Sequence, residues 1–356
     1  MKNIIKLTFA TFSILALSAC SEGYIDDISS VAAGEDKAAP TINILSPNVI
    51  KTLIPPKDNT TEAVFEYSVS DDIEIVQIDV FVDGAKISTH NNFIDYRNYK
   101  ESLSKSLGLG DHTLTVEAKD ISGKTSTKSF NFNVTNVYTP LFDGEKAYFA
   151  FFTGNSRFTE YLSVNDASIV GSPITISGGK AGAAYQGATG SYLTFPLSGL
   201  YSSEGISFTF WYKVNATPNR GGIITINDND NNSDENRSQG LRLFREGSAT
   251  SQTIKMNVGT GGGESWNDGG NLAVNGSWVH VGVTVSPTES KIYFNGVLQK
   301  TATYTSFDFS TSTTISIGSG APSFTYWDHL SDLSQIDELR VFNKALDENA
   351  IKATMQ

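Results

Sequence analysis

Apolar and polar residues alternate with a period of two through most of this chain. From Pro40 onward the alternation comes in short runs. The first set is "TINILSP", "AVFEYSVSDD", "IVQIDVFVDG", "HTLTVEAKD" and "STKSFNFNV". The second is "SYLTFPL", "ISFTFWYKV", "GIITIND", "GLRLFRE", "TIKMNVG", "SWVHVGVTV", "SKIYFNGVLQ", "TTISIGSG" and "IDELRVF". Short alternating runs separated by turn residues predict antiparallel strands with one face on a core, at the spacing of β-sandwiches. Val76, Ile78, Val80 and Val82 fall on one face of their run, and Asp83-Gly84 marks a hairpin turn. Valines 279, 281, 283 and 285 likewise face one way, with Trp278, His280 and Thr284 opposite. The one helical pattern of consequence is "KALDENAIKATM", whose Ala345, Leu346, Ala350 and Ile351 would cover a sheet edge. A break at "TNVYTPLFDG" divides the strands into two all-β domains, 38–136 and 137–356.

The N-terminal 37 residues follow a different pattern. Residues 1–20 read "MKNIIKLTFATFSILALSAC": two lysines, an apolar run too short to span a bilayer, then small residues. That is the layout of a secretory signal. Residues 20–37 lack apolar periodicity and read as a flexible acidic tether. Cys20 is the only cysteine, so no disulfide forms within the chain. The chain of 356 residues carries 26 Lys plus Arg against 38 Asp plus Glu, and loss of Lys2 and Lys6 with the signal makes it more acidic still. Nucleic acid and anionic membrane surfaces need a basic footprint that is missing here, which leaves neutral or basic ligands.

"LSAC" ending at Cys20 resembles the lipobox of bacterial lipoproteins, which are cleaved before the cysteine and acylated on it. The resemblance implies a signal peptide at 1–19 and a lipid anchor at Cys20; the alternative is an ordinary signal with a coincidental cysteine. "SEGYIDD" behind it, with Glu22, Asp26 and Asp27, is similar to the acidic export signal of Bacteroidota surface lipoproteins. "SVSDDIEIVQIDVFVDG" followed by "GDHTLTVEAKDISGKT" is similar to bacterial immunoglobulin-like domains, mostly spacers. "ISFTFWYKV", "GSWVHVGVTVSPTESKIYFNGVLQ" and "IDELRVFNKALDENAI" follow in order the pattern of laminin-G-like, concanavalin A-like lectin/glucanase domains. Together these imply an immunoglobulin-like β-sandwich followed by a concanavalin A-like jelly roll. The whole resembles a surface glycan-binding lipoprotein of the outer membrane, an accessory of a glycan importer that binds polysaccharide and no nucleic acid. Because this fold also serves hydrolases, lyases and protein-binding modules, an enzyme and an adhesin are the competing readings.

Asp337 and Glu338 in "QIDELRVF" raise the question of a catalytic carboxylate pair. Retaining glycosidases hold two carboxyls about 5–5.5 Å apart across one bond. Neighbours on a strand point to opposite faces, so the pair reads as structural: Asp337 toward the core with Leu339 and Val341, Glu338 outward beside Arg340. The glucanases of the fold carry Glu-x-Asp-x-x-Glu, and Gln335 and Leu339 stand where such spacing needs acids. A buried Asp337 needs a partner. The resemblance implies a structural calcium ion held by Asp337 and by backbone oxygens near the domain's start, where Asp143 and Gly144 sit; hydrogen bonds from backbone amides are the alternative. Asp228, Asp230, Asn232 and Asp234 have calcium-loop spacing, but Ser233 and Gln239 replace the required glycine and glutamate, which favours a solvated loop.

What remains is aromatic and polar. Trp266 lies in a glycine-rich stretch with Glu264 and Asp268; Tyr326, Trp327 and His329 lie in another turn-rich stretch; Arg242 and Arg245 point to opposite faces of one strand. Aromatic faces stack on the apolar C–H faces of sugar rings while polar side chains fix the hydroxyls. These residues are therefore the candidate carbohydrate-binding set, with one of the two arginines on the open side. The alternative is that the tryptophans plug the end of the sandwich. Trp211 and Trp278 read as packing residues.

Overall fold

The computed structural model describes residues 34–227, 237–325 and 327–356. Cys20 and the signal, the tether up to residue 33, the acidic loop 228–236 and Tyr326 lie outside the described residues. Among the described residues no helix is long and apolar enough to cross a membrane. The described residues form two compact units: 34–50, 62–106 and 111–133 make the first, and 51–61, 107–110 and those from 134 onward the second.

Strands Thr41–Ser46, Thr60–Ser70 and Asn98–Gly108 form one sheet of the first unit. Thr125–Thr135, Gly110–Asp120, Ile75–Val82 and Ala85–His90 lie side by side in the other. Phe65, Tyr67 and Val69 from one sheet and Ile78, Val80, Val82 and Val116 from the other are buried. A register shift between Ile75 and Gln77 buries Ile75 instead of Val76, which corrects the expected phase at the start of that strand. Asp83 and Gly84 have φ of 53° and 77°, the two positive values that a tight hairpin turn of the primed type requires.

Among the described residues from 134 onward there are fifteen strands: β1 (Glu145–Phe149), β2 (Ser168–Val170), β3 (Ile174–Ser177), β4 (Ala183–Gln186), β5 (Tyr192–Pro196), β6 (Ile206–Lys213), β7 (Arg220–Asn227), β8 (Leu241–Gly247), β9 (Ser251–Gly259), β10 (Glu264–Ala273), β11 (Val279–Val285), β12 (Glu289–Phe294), β13 (Val297–Thr303), β14 (Thr314–Ile317) and β15 (Gln335–Phe342). Seven form a sheet in the order β2-β5-β14-β7-β8-β9-β10. The other sheet runs β3-β4-β15-β6-β11-β12-β13, with β1 also paired to β15. Phe208, Phe210, Val281, Val283, Leu339 and Val341 of the second sheet share one core with Leu193, Ile224, Ile226, Leu243, Met256 and Ile317 of the first. Burying large apolar side chains of this kind stabilises by roughly 1.5–3 kcal/mol each.

Helix α1 (Glu348–Ala353) starts at Asp347, whose side chain accepts from the Ala350 N–H as an N-cap. Leu346 and Ile351 pack with Tyr293 and Phe342 over the outer face of the β15 sheet, so the segment covers a face and not an edge. Gly282 makes room for it, since a Cβ there would stand 2.8 Å from Ile351 Cγ2.

Residues 337 and 338 depart from simple alternation. Glu338 has φ of 52°, and the β15–β6 register shifts between Thr209 and Trp211. This bulge resets the pleat: Ile336 and Leu339 both enter the core, while Asp337 sits opposite Trp211 on the other face. The expectation that Asp337 points to the core with Leu339 is therefore corrected. Asp337 is nonetheless fully buried, because the turn before β4 covers it and Ala181 N–H donates to its Oδ2 at 2.8 Å.

Candidate functional site

The outer face of the seven-stranded sheet is built by register. Leu241 and Leu243 enter the core, so Arg242, Phe244 and Glu246 of β8 face outward. Their partners on β9 include Asn257 and Lys255, and Trp266 of β10 sits opposite Asn257. Trp266 thus lies on an edge strand, not in a loop as its glycine-rich surroundings suggest. The loop before β15 brings Trp327 to it. The two indole rings have centroids 5.6 Å apart and planes 31° apart. They are 37% and 38% exposed, which leaves a continuous aromatic surface open to solvent. Phe244 meets Trp266 edge-on at 6.2 Å, and Phe324 meets Trp327 at 6.3 Å, so the exposed pair stands on a buried aromatic base.

Charged groups rim this surface in pairs. The Arg237 guanidinium lies 4.9 Å from the Trp327 ring centre and 6.0 Å from that of Trp266. It bonds Glu264 at 3.0 Å, and the other Glu264 oxygen accepts from Asn257 Nδ2 at 2.8 Å. Lys255 bridges Glu246 at 2.7 Å and Asp268 at 3.3 Å. Arg220 reaches Glu246 at 3.9 Å and donates to the Trp327 carbonyl at 3.3 Å. Burial would raise the Glu246 carboxyl, but the hydrogen bond and charge of Lys255 outweigh it and hold the group below its ordinary range. Beyond Asp328, exposed next to Trp327, the same loop borders a cleft of about 480 Å³ lined by Thr189, Tyr192, Pro218, Leu330 and Leu333. A larger cleft of about 820 Å³, lined by residues 153–175, contains none of the aromatic group.

The structure brings together Trp266, Trp327 and Asp268 from the candidate set. It withdraws three others from the surface. Arg245 is 0% exposed and holds Asp332, and Arg242 is 1% exposed with its guanidinium on Gln239 O and Asn257 Oδ1. Opposite faces are confirmed for these arginines, but a buried guanidinium cannot orient a ligand's hydroxyls. His329 is fully buried, stacked on Phe324 at 4.7 Å and against Phe244 at 4.4 Å. Burial lowers its pKa to about 4, so it is a neutral packing group. Phe244, Lys255, Glu246 and Arg237 join the site without having been singled out. The alternation in "LRLFRE" and "TIKMN" places Phe244 and Lys255 on the outer face, yet only strand pairing puts that face beneath Trp266.

Asp337 accepts from the N–H groups of Ala181 and Glu338, each at 2.8 Å, and burial raises its pKa to about 7. Asp143 is exposed and pairs with Lys344. The β1–β15 register sets Glu145 beside Phe342, five residues beyond Asp337, or about 16 Å of extended strand. Asp143 and Asp337 therefore lie beyond opposite ends of the β1–β15 pairing, and among the described residues no group of three or more His, Cys, Asp or Glu stands placed to hold a metal. Glu338 pairs with Arg340 at 3.1 Å, as its outward position predicts, and accepts from Tyr148 Oη at 2.6 Å. Both neighbours are thus engaged in internal hydrogen bonds.

Residues 187–352 match the family model described as the concanavalin A-like lectin/glucanases superfamily. The second unit carries the concanavalin A-like fold. Among solved structures, similarity extends to domain 4 of a GH43 extracellular arabinanase from Geobacillus stearothermophilus, in complex with arabinotriose. It is 20% identical over 60% of this chain and 98% of that one, with a TM-score of 0.44. The botulinum neurotoxin serotype C1 binding domain is 17% identical over 59% of this chain, with a TM-score of 0.42, and the match spans 51% of that chain. A heptameric pentraxin from Limulus polyphemus is 16% identical over 43% and 70% of the two chains, at 0.33. A search of curated proteins found no match.

Proposed function

We propose that the concanavalin A-like unit is a non-catalytic carbohydrate-binding module whose ligand lies across Trp266 and Trp327. The carrying observation is the adjacent indole pair, both rings more than a third exposed and rimmed by hydrogen-bonding groups. Such a surface offers flat apolar contact to sugar C–H faces and donors and acceptors to the hydroxyls around them. A glycosidase needs one carboxyl held protonated, with a raised pKa. Beside the indole pair Glu246 is shifted the opposite way and Glu264 and Asp268 are ion-paired, while Asp337, whose carboxyl is raised, is fully buried on the other sheet, which supports binding over hydrolysis.

The test is a glycan array on the purified protein, then calorimetry of the best ligand with Trp266→Ala and Trp327→Ala. Loss of a central aromatic anchor costs about 2 kcal/mol, roughly thirtyfold in Kd, with a melting curve close to wild type. Wild-type affinity in both variants would remove the indole pair from the binding site. Release of new reducing ends from the bound glycan would replace the binding reading with an enzymatic one.

The lipobox-like "LSAC" and the acidic residues behind it support a place at the outer membrane, tethered through acylated Cys20, where the module would serve glycan uptake. Cys20→Ala should move the protein out of the membrane fraction or leave its signal attached. A variant that stays in membranes after alkaline washing, with its signal removed, would count against the anchor.

A further inference from the structure

We infer that the ligand of this surface is a neutral glycan, and that Glu264 sets this selectivity by neutralising Arg237. The inference rests on the binding reading above and names its substrate class. Among the described residues Arg237 is the cation that lies over both indole rings, where a bound sugar's carboxylate would meet it. Its charge is already answered by Glu264 at 3.0 Å, and Asn257 holds the second Glu264 oxygen, so that carboxylate is fixed in place. Lys255 is shared between Glu246 and Asp268, and Arg220 faces Glu246. Each of these cations therefore has an internal carboxylate.

An incoming uronate would have to displace one of those carboxylates, leaving it unpaired beside a new like charge. Asp268, whose side chain is 62% exposed, and exposed Asp328 add repulsion at the rim. Like-charge opposition of this sort discriminates against a wrong partner even where the stacking surface would accept it. A neutral sugar meets no such opposition, and its hydroxyls can bond the outer lone pairs and N–H groups of the intact ion pairs. The acidic balance of the chain as a whole, 38 acids to 26 bases, acts in the same direction.

The experiment measures binding of the purified full chain to neutral polymers (arabinan, galactan, mannan, xylan and mixed-linkage β-glucan). Polygalacturonate and alginate are measured beside them, at 50 and 500 mM NaCl, for wild type, Trp266→Ala and Glu264→Gln. Wild type should bind only among the neutral polymers, with less than twofold change between the two salt concentrations. Glu264→Gln should gain at least tenfold in affinity for polygalacturonate or alginate at 50 mM, and lose that gain at 500 mM, because the released Arg237 charge is screened. Wild-type binding to an acidic polymer that is salt-sensitive and abolished by Trp266→Ala would overturn the neutral-glycan inference and leave the indole surface standing. Acidic binding absent from Glu264→Gln as well would overturn the role of Glu264. Binding indifferent to Trp266→Ala, or no binding anywhere in the panel, would overturn the indole surface and the inference together.

Discussion

Arg245→Ala should destabilise the concanavalin A-like unit by about 3–5 kcal/mol, a large share of the roughly 5–15 kcal/mol by which domains are usually stable. Arg245 Nε donates to Asp332 Oδ1 at 2.8 Å, and its Nη1 donates to Pro218 O and Gln252 Oε1, both at 2.8 Å. The other Asp332 oxygen accepts from Tyr212 Oη at 2.6 Å, and Ser334 Oγ donates to Oδ1 at 2.7 Å. Both ion-pair side chains are buried. Truncating the arginine leaves an uncompensated carboxylate in the interior, together with a void where the guanidinium stood. The cost comes mainly from the orphaned charge, so Arg245→Met combined with Asp332→Leu should recover more than half of the loss. Urea unfolding followed by tryptophan fluorescence reads this unit alone, since all four tryptophans (211, 266, 278 and 327) lie within it. A single variant within 1 kcal/mol of wild type would show that the pair is not the organising contact of this end of the sandwich.

The same unit should lose about 1 kcal/mol of stability per pH unit between pH 6 and pH 5. Burial lowers both His280 and His329 to about 4, with the charge of Arg340 adding to the effect on His280. In the unfolded chain both protonate near 6.5. Between those values the unfolded state binds more protons, so the stability present above pH 6.5 falls as pH drops toward 4. Asp337 works the other way. Its pKa is raised to about 7, so across pH 6 to 5 it is protonated when folded and ionised when unfolded, which favours the fold as pH drops. Two histidines against one aspartate leave a net uptake of roughly one proton on unfolding. The doubly substituted His280→Gln, His329→Gln protein removes the larger contribution and leaves Asp337, so its stability should rise by about 1 kcal/mol from pH 6 to pH 5, a slope of similar size and opposite sign. Urea midpoints at the two pH values check the sign, and an unchanged slope in the double variant would refute the assignment.

Strand periodicity and turn residues were enough to make this an all-β chain, and the nine runs read in the second unit fall on ten of its fifteen strands, with β1 to β4 and β10 unread. The reason is local: one buried face forces an alternation that can be read without knowing the partner strand. The ordered motifs around "ISFTFWYKV", "WVHVGVTV" and "IDELRVF" carried the concanavalin A-like fold for the same reason, because each is one strand with a fixed inward set. The closeness of Trp266 and Trp327 was legible only as a hypothesis from composition, two large aromatics among polar turn residues.

Other features were decided by tertiary structure. Alternation says which face of β8 a residue occupies, but not whether that face is covered. Arg242 and Arg245 were correctly set on opposite faces, and packing buried both. His329 followed Trp327 in a polar stretch, yet Phe324 of the same loop and Phe244 of β8, far away in sequence, enclose it. At Glu338 a single left-handed residue inverted the facing of Asp337, a bulge that period-two reasoning cannot register because it assumes one residue per step on both strands. The pairing of Arg237 with Glu264 beside two indoles joins residues from separate segments. Sequence determines what a strand can bury by itself; register, bulges and the cover over an outward face are properties of two or more segments at once, and only the folded chain fixes them.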